Sequence, residues 1–434
     1  MMAGEHSAQH YLSVYPDYAA TLPGQNNAFL SSYRQSAWQA FKTLGFPHQR
    51  LEEWRYTNLA GLSRANYLPV VSESVDLAWL ETVRLADSWQ IVLVNGCFAA
   101  SLSNLSGLPP EVCVQSVRDV LQTQPHRVEA LLGKAVSVDE HSLIAFNNAW
   151  FSDGVFVDVP MGVRLIKPIQ IIHVSNADNS LAVSRQLVFV NENAAAELVE
   201  TFVGSASSYF SHTVNECFLQ PGAELTWYKV QTEGVGATHF GGTYVKQAAK
   251  SQFKHHNFAL GSLLARSEIH TDLQDAAECE LNGLFLGSQR QHLDNHTRIN
   301  HLQPNAICRE FYKGVLDQRA RGVFQGRVIV AEQAQKTDSQ MNNRNLLLSA
   351  DAEVDTKPQL EIYADDVKCA HGVTVGQLDE KSVFFLQARG IDMETARHIL
   401  TFAFANEMVD KVENAALRSQ LVKQLQVHFP AISL

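Results

Sequence analysis

Apolar residues near the start of the chain recur with the spacing of an amphipathic helix. The pattern runs from Asn26 to Leu44, and Gly45 and Pro47 then end it. Three shorter patterns follow, the first strand-like and the other two helical, at residues 91–94, 117–121 and 128–132. We therefore predict a mainly helical N-terminal domain over residues 1–145.

The middle of the chain, residues 146–376, has a different pattern, in which short β-rich runs such as IQIIHV, QLVFVN and ELTWYKV replace the helical periodicity. Turn-like breaks that carry an alanine recur between these runs. Their spacing lies between 26 residues (Ala223 to Ala249) and 29 residues (Ala277 to Ala306) in every step but the last, which is shorter. The breaks are at Ala196, Ala223, Ala249, Ala277, Ala306, Ala334 and Ala352.

A regular period of this length, carried by strands, predicts a mainly β fold with a β-solenoid core. Each turn would contribute two strands and would stack its inward side chains on those of the turn before. A β-sandwich or a double-stranded barrel with coincidental spacing is the alternative, because alanine is common and the repeat is loose.

Helical periodicity returns in residues 377–434. Asp379 and Asp392 are placed as N-caps of two helices, and the first of these ends at Arg389 and Gly390. A third helix has four apolar residues on one face: Leu417, Leu421, Leu425 and Phe429. We predict a C-terminal helical domain that either covers the open end of the solenoid or forms a docking surface.

Charge and composition narrow the classes of partner. The 434 residues include 34 basic and 45 acidic side chains, and the net charge of −11 disfavours nucleic acid or an anionic membrane as the main partner. No apolar run approaches the ~20 residues of a membrane span, and no secretion signal is visible. The six cysteines lie far apart, which predicts reduced thiols in a cytoplasmic protein.

Common catalytic and nucleotide-binding motifs are missing from the sequence. Gly133 and Lys134 are followed by Ala135 and lack the upstream glycine of a phosphate-binding loop. Gly234 and Gly236 lie among β-rich runs without the helix that a dinucleotide-binding motif requires. GxSxG and HExxH are absent as well. We therefore predict that the chain is not an enzyme and binds no nucleotide.

Two groups of residues have side chains that bind metals. The first is His292, His296 and His301, followed by Cys308. Side chains alternate between the faces of a strand, so His292 and His296 can share a face that His301 does not. Polar residues that hydrogen-bond between turns are the simpler interpretation of this group.

The second group is Cys369 and His371, near the end of the β-rich region. A Cys-x-His pattern puts thiolate and imidazole on one face of a strand, with their Cβ atoms ~7 Å apart. Both are iron ligands, and cysteine can accept sulfur as a persulfide. Further ligands would have to come from elsewhere in the fold, from the acidic run of residues 361–366, or from a second chain. A buried cysteine beside a hydrogen-bonded histidine is the alternative.

Cys369 and His371 belong to a longer stretch, residues 344–372, that ends in DTKPQLEIYADDVKCAHG. This stretch closely resembles the SufD subunits of the SufBCD iron–sulfur cluster assembly complex. Residues 53–57 (EWRYT), 146–154 and 312–327 agree with it, so the resemblance covers essentially the whole chain. The residue between cysteine and histidine is usually serine in this motif and is Ala370 here.

The resemblance implies a right-handed parallel β-helix that pairs with a SufB subunit, and C-terminal helices that dock a SufC ATPase of the ABC type. It implies a non-catalytic scaffold, with the cysteine desulfurase system as an indirect partner. A nascent iron–sulfur cluster would form transiently at the SufB interface, with His371 as the first candidate ligand and Cys369 as the second. ATP-driven movement of the C-terminal helices would open that interface.

Two alternative functions and two additional properties remain open. The chain could be a purely structural partner of SufB that supplies no metal ligand. It could be an enzyme on a β-solenoid, such as a polysaccharide lyase or an acyltransferase, although the absent secretion signal and the helical ends argue against that. Reduced flavin could bind to the assembled complex, although this chain carries no flavin signature. The isolated chain could also form a homodimer through an unsatisfied pairing edge.

Overall fold

The computed structural model describes residues 8–71, 74–138 and 141–429. Its N-terminal part is mainly helical, as predicted. Asn27 caps the helix predicted from the first apolar pattern, since its side chain accepts a hydrogen bond from the Leu30 N–H, and the helix ends before Gly45. The helices are α1 (Gln9–Ala19), α2 (Ala28–Leu44), α3 (Ala60–Arg64), α4 (Leu77–Val83), α5 (Val117–Thr123), α6 (Pro125–Leu131) and α7 (Ser142–Trp150). Three strands lie among them: β1 (Trp89–Val94), β2 (Cys97–Phe98) and β3 (Cys113–Ser116).

Sixteen further strands follow one another without an intervening helix and form two facing sheets. They are β4 (Val155–Val159), β5 (Ile169–Ser175), β6 (Ser180–Val190), β7 (Ala195–Gly204), β8 (Tyr209–Leu219), β9 (Glu224–Gln231), β10 (Ala237–Gln247), β11 (Gln252–Ala259), β12 (Leu264–Leu273), β13 (Glu278–Gly287), β14 (His292–His301), β15 (Ile307–Leu316), β16 (Arg321–Val330), β17 (Asp338–Leu347), β18 (Glu353–Ile362) and β19 (Lys368–Gly376).

Successive strands alternate between the two sheets. Sheet A has the order β18-β16-β14-β12-β10-β8-β6-β4-β3, and sheet B has the order β19-β17-β15-β13-β11-β9-β7-β5-β1-β2. All neighbours are parallel except β3 beside β4 and β2 beside β1, which are antiparallel. This is the predicted β-solenoid, with about eight turns. The N-terminal strands β1 and β3 take part in it, since they extend the two sheets beyond β5 and β4.

The register explains the alanine spacing. From β5 to β19, corresponding residues on neighbouring strands of sheet B lie 26 residues apart at the closest, from Gln252 to Glu278, and 31 at the widest, from Ile307 to Asp338. Ala277 and Ala306 directly precede strands of sheet B and are fully buried. Ala352 directly precedes β18 of sheet A. The last step of the pattern is short because it joins breaks that belong to the two different sheets.

Helices cover the outer faces of both sheets. Phe210 and Phe240 on sheet A pack in one cluster with Phe41, Phe146 and Trp150 of the N-terminal helices. A buried ion pair lies under this cover, between Arg185 of β6 and Glu216 of β8, with Nη2 and Oε1 2.6 Å apart. Glu216 also accepts hydrogen bonds from N–H groups of residues 133 and 135, so the pair joins the helical part to the sheet.

The three predicted C-terminal helices follow, and the last two cover the outer face of sheet B. They are α8 (Glu380–Gln387), α9 (Met393–Val409) and α10 (Ala415–His428), and Asp379 and Asp392 cap the first two as predicted. Phe402, Met408 and Leu421 pack on Phe258 and Leu284 of the sheet. Within the described ranges, no helix is long and apolar enough to cross a membrane.

Candidate functional site

Cys369 and His371 lie on β19, the last strand of sheet B. In the described part of the chain, β19 pairs only with β17, and β18 of sheet A pairs only with β16. One end of the solenoid is therefore open, with a free strand edge in each sheet. Among the helices of the described ranges, α9 and α10 pack on the outer face of sheet B and not on this end. This open end is the candidate site.

Both candidate side chains are on the inward face of β19, as the two-residue spacing predicts. Cys369 lies beside Ser339 of β17, and His371 lies beside Met341. Cys369 is half-buried and packs against the interior core, whereas His371 is exposed. Ala370, between them, points outward and is exposed, so the serine usual at this position would not reach the interior.

The two side chains differ in chemistry as well as in exposure. Burial raises the pKa of the Cys369 thiol, so the protonated form is favoured at neutral pH. A thiol must lose its proton before it binds iron or accepts sulfur. The imidazole of His371 can bind a metal in its neutral form and is open to an incoming group. His371 is therefore the more accessible of the two candidate side chains.

Each candidate is the last member of a column, which is a row of inward-facing side chains at paired positions on successive strands of sheet B. Behind Cys369 are Ser339, Cys308 and Cys279. The contact with Cys279 and burial raise the pKa of Cys308 well above its usual range, so this thiol stays protonated. The sequence gives no sign of this column, because its members are about thirty residues apart and only the register brings them together.

Behind His371 the column contains Met341 and then Glu310. The Glu310 carboxyl is buried, and its Oε1 accepts a hydrogen bond from Thr297 Oγ1 at 2.6 Å. Its Oε2 has no hydrogen-bond partner among the described residues. Burial raises the pKa of Glu310 to about 8, so the carboxyl is mostly neutral at physiological pH. Sequence analysis missed Glu310. The only sequence signal was its two-residue spacing from Cys308 and Tyr312, which places all three side chains on the inward face of β15.

The first histidine group does not form one site. His292 and His296 lie on the outer face of sheet A, and His301 points into the interior. His292 Nε2 is 2.9 Å from Thr57 Oγ1, and His296 Nε2 is 2.9 Å from Asp294 Oδ1. The first contact ties the N-terminal part to the sheet, and the second lies within β14. Burial lowers the pKa of His301 to about 4.

The acidic run upstream of Cys369 is only partly free. Glu361 accepts a hydrogen bond from Arg327 Nε at 2.7 Å, and Asp366 pairs with Lys336. Asp365 is exposed. Within the described residues, no three histidine, cysteine, aspartate or glutamate side chains are arranged to hold a metal ion.

A second unusual surface lies on the C-terminal helices. Phe384 and Phe385 of α8 are 70% and 55% exposed, and Arg389 lies 3.4 Å above the ring of Phe385. A groove of about 400 Å³ runs between α8, α9 and the end of β17, lined by Leu348, Val383 and others. Two adjacent exposed aromatic rings on a short helix are typical of a protein-binding surface.

Comparison with known proteins covers nearly the whole chain. The family model of the SufBD protein N-terminal region matches residues 5–171, and the model of the SufBD core domain, from the SUF system of FeS cluster assembly, matches residues 173–404. The chain is 31% identical to an iron–sulfur cluster assembly SufBD family protein of Synechocystis over 93% of this chain and 92% of the relative.

Two further relatives have similar coverage. The iron–sulfur cluster assembly protein SufD of Escherichia coli is 29% identical over 92% of this chain and 93% of its own length. The chloroplastic protein ABCI7 of Arabidopsis thaliana is 28% identical over 90% of this chain and 84% of its own length.

Proposed function

The chain belongs to the SufB and SufD family of iron–sulfur cluster assembly proteins and is SufD-like, and we propose that it is a non-catalytic scaffold subunit that pairs with SufB. One observation carries the proposal: the solenoid ends in two free strand edges, and the inward face of the last strand carries Cys369 and His371. Free edges of this length readily pair with another chain.

A nascent iron–sulfur cluster would be the cargo of this interface. His371 would supply one ligand, since its side chain is exposed at the open end. Cys369 is a weaker candidate because its thiol is half-buried and has a raised pKa. The remaining ligands would come from SufB, since this chain brings no third suitable side chain to the site within its described residues.

The C-terminal helices would dock the SufC ATPase. Phe384 and Phe385 give α8 an exposed apolar surface, and the adjacent groove can accept a side chain of the partner. SufC would bind the ATP, and this chain would bind no nucleotide.

A partly buried contact would couple movement of these helices to the open end. Lys313 of β15 donates a hydrogen bond to the Phe404 carbonyl of α9 at 2.8 Å and pairs with Glu407. β15 is two strands from β19, so a pull on α9 would reach the interface through neighbouring strands of one sheet.

The proposal is tested by co-expressing the chain with SufB and SufC in cells that lack their own SufD. We expect the three proteins to purify together and to restore activity of iron–sulfur enzymes. Substitution of the exposed Phe384 and Phe385 by serine should release SufC and retain SufB. Failure of the full-length chain to purify with SufB would contradict the proposal. A purely structural role, without a metal ligand, predicts that the His371→Ala variant restores activity as well as wild type.

A further inference from the structure

The Glu53 side chain has no role in the function proposed above. Glu53 opens residues 53–57 (EWRYT), which lie on the outer face of sheet A. The ring of Trp54 is buried, and the Cζ atom of Arg266 lies 3.7 Å from its centre. Arg266 Nη1 also donates a hydrogen bond to the Glu53 carbonyl at 2.8 Å. The Glu53 carboxylate, in contrast, is exposed and has no ion pair among the described residues. Its charge is therefore available to a ligand.

Glu53 belongs to the wall of an open cavity of about 520 Å³. The cavity lies between the end of α2, residues 51–54 and the start of α7. Leu44 and Leu51 line it and are 49% and 47% exposed, so they form an apolar rim. A cavity of this volume with an exposed apolar rim is typical of a binding site.

The inner walls of this cavity are held in place before any ligand binds. Trp54 lies under Arg266, and His141 Nε2 is 2.9 Å from Glu268 Oε2. Arg266 joins these two contacts, since its Nη2 is 2.6 Å from Glu268 Oε1. All four side chains are largely buried. A cavity with fixed walls loses little conformational entropy when it binds a ligand.

The charges that line the cavity are negative. Glu52 and Glu53 contribute two carboxylates, and among the described residues no lysine or arginine lines the cavity. Lys357 of β18 pairs with Glu52, so Glu53 is the unpaired carboxylate of the two. The net charge of −11 on the whole chain adds to the attraction of a cation. A ligand that fits the cavity therefore brings positive charge to Glu53 and apolar surface to the rim.

We propose that the cavity binds a basic, amphipathic segment of a partner protein, with a lysine or arginine beside Glu53 and apolar side chains against Leu44 and Leu51. Amphipathic segments bind apolar grooves of this kind as helices. A small organic cation would fill the interior of the cavity and leave the two rim leucines in water, so a chain segment fits better. The cavity is on the sheet A side of the molecule, whereas the helices proposed to dock SufC are on the sheet B side. The inference therefore concerns a third partner and goes beyond the proposed function.

A designed peptide tests the chemistry of the cavity. The probe is a short fluorescent peptide with leucine at helical spacing and lysine or arginine at the other positions, and its control has glutamate at every basic position. We expect the full-length chain to raise the fluorescence anisotropy of the basic peptide and not that of the acidic one. The affinity should fall as salt is added, because salt screens the exposed charges. Equal binding of the two peptides, or binding of neither, would overturn the proposal.

Three variants locate the binding on the chain. Leu51→Ser removes apolar surface from the rim and should weaken binding of the basic peptide ~tenfold. Glu53→Gln should weaken it ~threefold, because an exposed ion pair contributes little. Glu111→Gln makes the same change in net charge at an exposed position outside the cavity and should bind as wild type does. All three side chains are exposed, so the circular dichroism spectra should match wild type. Equal losses with Glu111→Gln and Glu53→Gln would show non-specific attraction and would overturn the proposal.

Competition distinguishes the other occupants. The complex of the chain with SufB and SufC should bind the basic peptide as tightly as the free chain does. Loss of peptide binding in that complex would assign the cavity to SufB or SufC. Displacement of the peptide by an equal concentration of arginine methyl ester would assign it to a small cation, and conversion of a dimer to a monomer by Leu51→Ser would assign it to a second copy of this chain. Each of these three results would overturn the proposal.

Discussion

Glu310 and His371 lie in one inward-facing column of sheet B, two strands apart, with Met341 between them. Strands in a sheet are ~4.8 Å apart, so a buried carboxyl lies ~10 Å beneath the exposed imidazole. Among the described residues, no charged partner compensates Glu310, and burial raises its pKa to about 8. The interior core next to the open end of the solenoid therefore contains a neutral carboxylic acid.

Glu310 should make stability depend on pH. Its pKa is about 8 in the folded chain and near 4.5 when exposed, so between these values the folded state holds a proton that the unfolded state has lost. The free energy of unfolding should therefore fall as pH rises from 5 to 8, by at most ~1.4 kcal/mol per pH unit. Glu310→Gln should remove this contribution. Urea unfolding at pH 5, 6.5 and 8 measures it, and equal slopes for both proteins would contradict the assignment.

The buried ion pair between Arg185 and Glu216 should be essential for holding the N-terminal helical part on sheet A. Both side chains are fully buried, so Glu216→Gln leaves the guanidinium without its counter-charge. We expect a loss of ~3–5 kcal/mol in the free energy of unfolding. Urea denaturation followed by circular dichroism measures this loss.

An exposed pair in the same solenoid serves as the control. Arg164 and Glu224 also form two hydrogen bonds between their side chains, but both side chains are largely in water. Glu224→Gln should leave the unfolding curve unchanged, because solvent screens such a pair. If Glu216→Gln has as little effect as Glu224→Gln, the buried pair does not hold the two parts together.

The α8 surface should affect binding without affecting stability. Phe384 is 70% exposed, so Phe384→Ser should leave the melting temperature within ~2 °C of wild type while it reduces co-purification with SufC. Phe402 of α9 is buried against sheet B, so Phe402→Ser should lower the melting temperature by several degrees. If the Phe384→Ser variant still retains SufC, with SufB bound, the docking surface for SufC does not include Phe384.

Much of this fold is predictable from the sequence because each turn of the solenoid repeats the same pattern of two β-rich runs and an alanine-containing break. The alanine breaks indicated the period, and the caps at Asp379 and Asp392 indicated where two C-terminal helices begin. The Cys-x-His spacing placed Cys369 and His371 on one face of a strand. All of these are local signals, since they depend on neighbours within a few residues or on a regular repeat.

The remainder depends on register, which no local pattern gives. Nothing near Glu310 in the sequence shows that it shares a column with His371, since sixty-one positions separate them. Ala352 looked like another break of the same series, although it belongs to the other sheet.

The most direct test of the central claim is the anaerobic Mössbauer and absorption spectrum of the complex with SufB and SufC, after cluster assembly with wild type or His371→Ala. Gel filtration first confirms that both complexes contain all three subunits. We predict that the variant complex assembles normally but loses most of its cluster signal, and that Cys369→Ala loses less. A His371→Ala complex with a wild-type spectrum would contradict the claim that this chain supplies a cluster ligand at its open end.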